Sequence, residues 1–113
     1  MLRQSHSQLR LPPAGTASAT VAYYHQNTIG PHSYVYTAQV TAIYSNYIGD
    51  AGMPGQYPRV SVFYIRSNGS RANEVYGYGS AGYYGTGPSP ARAACSNEES
   101  QTITAKCEWN YSP

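Results

Sequence analysis

Charge is what this sequence has least of. Only 11% of its 113 residues are Asp, Glu, Lys or Arg, and seven basic side chains against five acidic ones leave a net charge of +2. That is too little for the electrostatic footprint of a dedicated duplex-DNA or anionic-membrane binder. Lysine occurs once, at Lys106, aspartate once, at Asp50, phenylalanine once, at Phe63, and tryptophan once, at Trp109. No apolar run reaches the length of a membrane span. Residues 1 to 20 lack the apolar stretch of a signal peptide, so export is expected to be encoded elsewhere or to occur by assembly or lysis.

Catalytic groupings are missing as well. His6, His25 and His32 are the only imidazoles, no serine stands in a G-x-S-x-G setting, and Glu98 and Glu99 are chain neighbours, which point apart on an extended chain. No cysteine pair sits at metal-ligand spacing, although His25 and His32 bracket a turn and are weighed as a metal pair before a surface role is preferred. The expectation is a protein with no enzymatic activity, no cofactor and no metal. One motif matches by letter, Gly77-x-Gly79-x-x-Gly82, the dinucleotide fingerprint. It needs a helix opening at the loop to receive the pyrophosphate, and Tyr83-Tyr84-Gly85-Thr86-Gly87-Pro88 cannot supply one.

Against these absences stand 13 tyrosines and 11 glycines, with a mean hydropathy of −0.50. Low charge with abundant aromatics is not a disordered composition. Polarity here comes from hydroxyls and amides, and tyrosine must do much of the packing in a chain long enough for one core.

Two cysteines, Cys95 and Cys107, have eleven residues between them. In a short β-rich chain they read as one disulfide, worth about 3 kcal/mol through the unfolded state. The alternative is a pair of reduced, half-buried thiols.

Along the chain, residues 1–15 hold Arg3 and Arg10, no acid and no sustained period, and run into Pro12-Pro13. They read as an extended arm, and residues 16–113 as a single β domain. Thr16 to Tyr24 predicts a strand and HQNTIGPH a turn. The longest period-two run puts Tyr34, Tyr36, Ala38, Val40, Ala42 and Tyr44 on one face, and GDAGMPGQYP then predicts a long loop. Arg59 to Ser67 is almost continuously apolar, as in a strand covered on both faces. Asn68-Gly69 predicts a type I′ hairpin. In the last strand Ile103, Ala105, Cys107 and Trp109 share one face, and Cys95 is expected to approach across SNEES to close a terminal hairpin. No segment has helical period. The fold class expected is all-β, a small antiparallel β-sandwich or barrel of six to seven short strands with an extended N-terminal arm.

A chain of this kind works by contact. Alternation of Tyr76 and Tyr78 with Gly77 and Gly79, followed by Tyr83-Tyr84, predicts a ridge of rings over bare backbone that another chain, sheet or flat ligand can approach. Tyr76, Tyr78, Tyr83 and Tyr84 are therefore the candidate contact surface. Tyr57, Arg59, Phe63, Tyr64, Arg66 and Arg71 interleave rings with guanidinium groups as single-strand platforms do, but two capping arginines on a buried strand explain them equally, and nucleic acid is not the expected partner.

The expected function is a structural or assembly subunit, a surface-filament protomer or a virion coat or decoration protein, self-associating through the arm and the tyrosine-rich face. The alternative is a secreted carbohydrate-binding module, since tyrosine faces and Trp109 can stack on sugar rings. Sequons at Asn68-Gly69-Ser70 and Asn110-Tyr111-Ser112 would suit that pathway. Either role places the protein outside the cell, on a cell surface or on a virion.

Overall fold

Period-two alternation governs the fold. The structure, a computed structural model, describes residues 6–8, 21–53 and 57–112. Among them are nine strands and no helix: β1 (His6–Gln8), β2 (Val21–Ile29), β3 (Tyr34–Tyr36), β4 (Ala42–Gly52), β5 (Arg59–Arg66), β6 (Arg71–Tyr78), β7 (Ala81–Tyr84), β8 (Ala91–Asn97) and β9 (Ile103–Ser112). Two sheets pack face to face, one ordered β1-β3-β8-β5-β6 and the other β2-β9-β4-β7. All pairings are antiparallel except β1 with β3. The expected all-β sandwich is present, with more strands than the six or seven anticipated.

Between the sheets lies one core. β9 contributes Ile103, Ala105, Cys107, Trp109 and Tyr111, all buried, and β5 opposes them with Val60, Val62 and Tyr64. Asn46 of β4 ties the layers together: its Nδ2 donates to the carbonyls of Phe63 at 3.0 Å and Ala94 at 3.2 Å in the other sheet. Asn97 pins the end of β8, donating to Ile29 O, Gly30 O and Gln101 O. Buried amides of this kind fix the relative placement of two layers because leaving them unpaired is costly.

Only β5 and β6 are consecutive strands in the same sheet; every other connection passes from one sheet to the other. This explains most departures from the sequence-based expectations. The run from Tyr34 to Tyr44 is two strands in different sheets. After β3 the chain stays beside β8, with Thr37 N donating to Ala93 O and Val40 N to Ala91 O, and it changes sheets at Thr41, whose N–H donates to Ser112 O. The expected turn at HQNTIGPH begins later, because His25, Gln26 and Asn27 stay in register with β9 and β2 ends at Ile29. The expected loop at GDAGMPGQYP is shortened from its front, since Gly49 to Gly52 finish β4 through an irregularity where Asp50 takes φ 48°.

The β5–β6 hairpin is where the sequence placed it, but its turn is of another class. A type I′ turn needs positive φ at both central residues. Here Gly69 alone is positive, at 88°, with Gly69 N donating to Arg66 O and Arg66 N to Ser70 O. That is a three-residue loop closed by a glycine in the left-handed region. Within the expected arm, His6–Gln8 form β1 and pair with β3 of their own chain. The remainder of residues 1–15, and Thr16 to Thr20, lie outside the described residues.

Candidate contact surfaces

The outer face of the four-stranded sheet is built from what the core alternation leaves over. Register aligns Tyr24, Glu108, Tyr47 and Gly82 in one row and Ala22, Asn110, Ser45 and Tyr84 in the next. Tyr47 lies flat: a Cβ on Gly49 would overlap its Oη, Cζ and Cε2, and one on Gly82 would come within 3.0 Å of its Cδ1. Glycine at these two positions makes room for the ring. Tyr84 stands beside it, ring centroids 6.5 Å apart, and is 72% exposed; Tyr24, at the other side of the sheet, is 58% exposed. Asn110 Nδ2 donates to Ser45 Oγ at 2.6 Å. Lys106 Nζ lies 3.3 Å from the Asp50 carboxylate and 5.8 Å from the Tyr24 ring centre. Its hydrogen bond to Asp50 holds the ammonium above the ordinary lysine range.

The outer face of the five-stranded sheet is different in kind. Register places Tyr34, Ser96, Ser61 and Tyr76 in one row. Glu98 closes its floor, accepting from Ser61 Oγ at 2.9 Å and Ser96 Oγ at 2.5 Å. The Arg71 guanidinium lies 4.0 Å from the centre of the Phe63 ring and 5.4 Å from that of Tyr34, and pairs with Glu74 at 3.4 Å. Arg59 covers Tyr76 at 4.9 Å and Arg92 covers Tyr36 at 5.5 Å.

The structure distributes the four candidate tyrosines over three surfaces. Tyr76 and Tyr78 share the outward side of β6, 46% and 74% exposed. Tyr83 turns inward and meets Tyr64 edge-on, centroids 5.6 Å apart. Tyr84 belongs to the four-stranded face. The single ridge is thus corrected: the chain changes sheets between β6 and β7. Gly77 does not offer bare backbone to a partner either, because the Ser80 carbonyl occupies the place a Cβ would take. The fingerprint glycines sit on and between strands, without a helix. Of the interleaved set, Tyr64 is inside the core and Phe63 lies beneath Arg71, which leaves Tyr57, 77% exposed, as its one open ring.

Cys95 and Cys107 are both fully buried, and both are thiols. Cys107 shares the core face with Trp109 as expected. The terminal hairpin is corrected: β8 and β9 lie in different sheets, so the sulfurs meet across the core. Cys95 Sγ donates to Tyr47 O at 3.5 Å, beside the residue that pairs with Cys107. Burial, and then the hydrogen bond with Cys107, push the Cys95 thiol well above its ordinary value. His25 pairs with Cys107 along the edge strand, while His32 sits in the following turn at φ 49° with its N–H on Glu99 O. Among the described residues no three His, Cys, Asp or Glu side chains are grouped to hold a metal.

Sequence reasoning missed Tyr24 and Tyr47. The signal was present: extending the alternation of VAYYHQNTI to Ile29 sends Tyr24 outward, and Tyr47 stands two residues before a glycine, the spacing that lets a ring lie down on a strand.

No protein-family model matches this chain, and no curated protein matches it. Among solved structures it is similar in fold to PliG of Aeromonas hydrophila, a periplasmic lysozyme inhibitor of g-type lysozyme. The TM-score is 0.50 at 7% identity, over 93% of this chain and 96% of that one, a likeness of sandwich architecture.

Proposed function

We propose that the protein is a non-enzymatic contact module that engages protein, first of all further copies of itself, through the outer face of the four-stranded sheet. This is the assembly-subunit role, of surface-filament or virion type, outside the cell. The observation that carries it is the make-up of that face. Tyrosine rings stand among Ser, Thr, Asn and Gln with three charged side chains, Lys106, Glu108 and Asp50, the first and last of them paired, and Tyr24 and Tyr84 project at either side. Rings with few rotatable bonds lose little entropy when ordered, and hydroxyls and amides adapt their hydrogen bonds to the partner.

Sedimentation of the wild-type chain, Tyr24→Ala and Tyr84→Ala tests this. Association beyond the monomer is expected, weakened by about 1 to 3 kcal/mol in each variant. A wild-type chain that stays monomeric at every concentration ends the self-assembly reading.

A second reading is favoured by the likeness to PliG: an inhibitor that binds another protein. Turnover of a g-type lysozyme with the purified chain present separates it from the first. Sugar rings stacking on the same tyrosines are the third occupant to test, by titration with oligosaccharides, which should leave a self-assembling module unaffected.

A further inference from the structure

Among the described residues two sheets leave four edges, β1 and β6 of one and β2 and β7 of the other, and β6 and β7 are blunted. β7 has four residues. β6 carries the charges Arg71 and Glu74 and an extra residue opposite Phe63, with Asn73 at φ 54°. Short strands, bulges and charges are the devices by which sheets avoid pairing with other chains. β2 has none of them. Its nine residues, VAYYHQNTI, run along β9 without a register shift and include no proline and no Asp, Glu, Lys or Arg. It ends its sheet, and among the described residues no strand lies on its other side. Its side-chain bonds include Asn27 Nδ2 to His25 O at 3.0 Å and His25 Nδ1 with Gln26 O at 2.6 Å, both exposed, and Tyr24 bonds Lys106 of β9.

We propose that β2 is a homotypic edge: two copies join antiparallel through it, fusing two four-stranded sheets into one eight-stranded sheet. The proposal rests on the self-association reading and names its geometry. Backbone groups that face away from β9 then gain partners of the kind they already have on the other side. Symmetry sets the register. A two-fold axis normal to the sheet keeps inner side chains opposite inner ones, and overlap of the nine described residues of β2 puts that axis at His25. Val21 then faces Ile29 of the second copy, Ala22 faces Thr28, and Tyr24 faces Gln26. His25 meets its own copy on the axis, and with no Asp, Glu, Lys or Arg in the strand no permanent like charges are set opposite each other, as self-pairing of a charged strand would do.

The test is a charge swap at the outward, exposed pair Ala22 and Thr28. Ala22→Lys/Thr28→Lys sets lysine against lysine twice across the seam, and Ala22→Lys/Thr28→Glu sets lysine against glutamate. Sedimentation should show at least a tenfold loss of dimer affinity in the first and recovery to near wild type in the second. Both should keep the wild-type thermal midpoint at concentrations low enough that all three proteins are monomeric. Deuterium exchange on the unmodified protein provides a readout free of mutation: amides of Val21 to Ile29 should gain protection as concentration rises. Equal affinity in both variants, or exchange in β2 that ignores concentration, overturns the edge. If the lysine pair leaves the mass unchanged while Tyr84→Ala, on β7 at the far side of the sheet, lowers it, the edge falls and the contact face stands. A wild-type chain monomeric throughout removes both.

Discussion

The two outer faces use the same side chain to opposite ends. On the five-stranded sheet, Arg71 lies on Phe63 and Tyr34, Arg59 on Tyr76 and Arg92 on Tyr36, while the Glu98 carboxylate sits on the floor serines. Among the described residues of the four-stranded sheet, only Lys106 comes near a ring, that of Tyr24, and Tyr84 stands clear of the surface without a cation over it. All four described arginines, Arg59, Arg66, Arg71 and Arg92, belong to the first sheet. A ring capped by a guanidinium already has its cation partner, so a ligand must displace that cap before touching it. An uncapped ring offers its face at no such cost. Tyrosine count alone does not mark a binding face: the placement of the cations decides which rings are open, and it leaves Tyr84 open on one sheet and Tyr78, at the β6 edge, on the other.

The largest effect that bears on this contrast is expected at Phe63. It lies on the outward side of β5 yet is only 1% exposed, because Arg71 and its neighbours seal it. Phe63→Ala should cost about 3 to 5 kcal/mol, the range of a core aromatic, measured by urea denaturation. A cost near that of an ordinary surface substitution, about 0.5 kcal/mol or less, would mean the face is open after all.

Arg71→Ala comes next. Losing the cap over two rings and the Glu74 pair should cost about 1 to 2 kcal/mol, most of it from stacking and packing, since the exposed ion pair contributes little. Raising salt should recover almost none of that difference. If high salt erases it, the contact is ionic and the sealed-face account is wrong.

How far the sequence reveals this arrangement depends on what alternation can encode. Cys107 and Trp109 on one buried face, the covered strand from Arg59 and the hairpin at Asn68-Gly69 all follow from period and turn chemistry within one segment. Alternation says which residues share a face, not which sheet the strand joins. Tyr34 to Tyr44 therefore reads as one strand although the chain leaves β8 after Val40 and joins the other sheet at Thr41. For the same reason Tyr83 and Tyr84 look equivalent to Tyr76 and Tyr78, when pairing of Asn46 with Tyr83 sends that ring inward. The capping arginines were visible as residues, but their rings lie on neighbouring strands, and strand order is not written locally.

The smallest effect is silent at neutral pH and concerns the line where the open face meets the core. Tyr23 and Tyr24 are adjacent on β2, one under the sandwich edge and one outside it. Tyr23 packs on Trp109 with ring centroids 4.6 Å apart, and its hydroxyl is pushed up to about 12, first by burial and then by the neighbouring Cys107 and Cys95 thiols. In the unfolded chain it ionises at the ordinary tyrosine value near 10. Between about pH 10 and pH 12 the unfolded chain has given up a proton that the folded one keeps, so stability falls as pH rises through that window. Below it the contribution is complete and constant. Burial shifts Tyr64 in the same direction, so the decline has more than one source. Tyr23→Phe should therefore flatten the loss of urea midpoint between about pH 9 and about pH 11 without abolishing it, and leave the midpoint near neutrality almost unchanged. Should the variant decline as steeply as the parent, the Tyr23 hydroxyl is in water, and the β2 edge has two open sides instead of one.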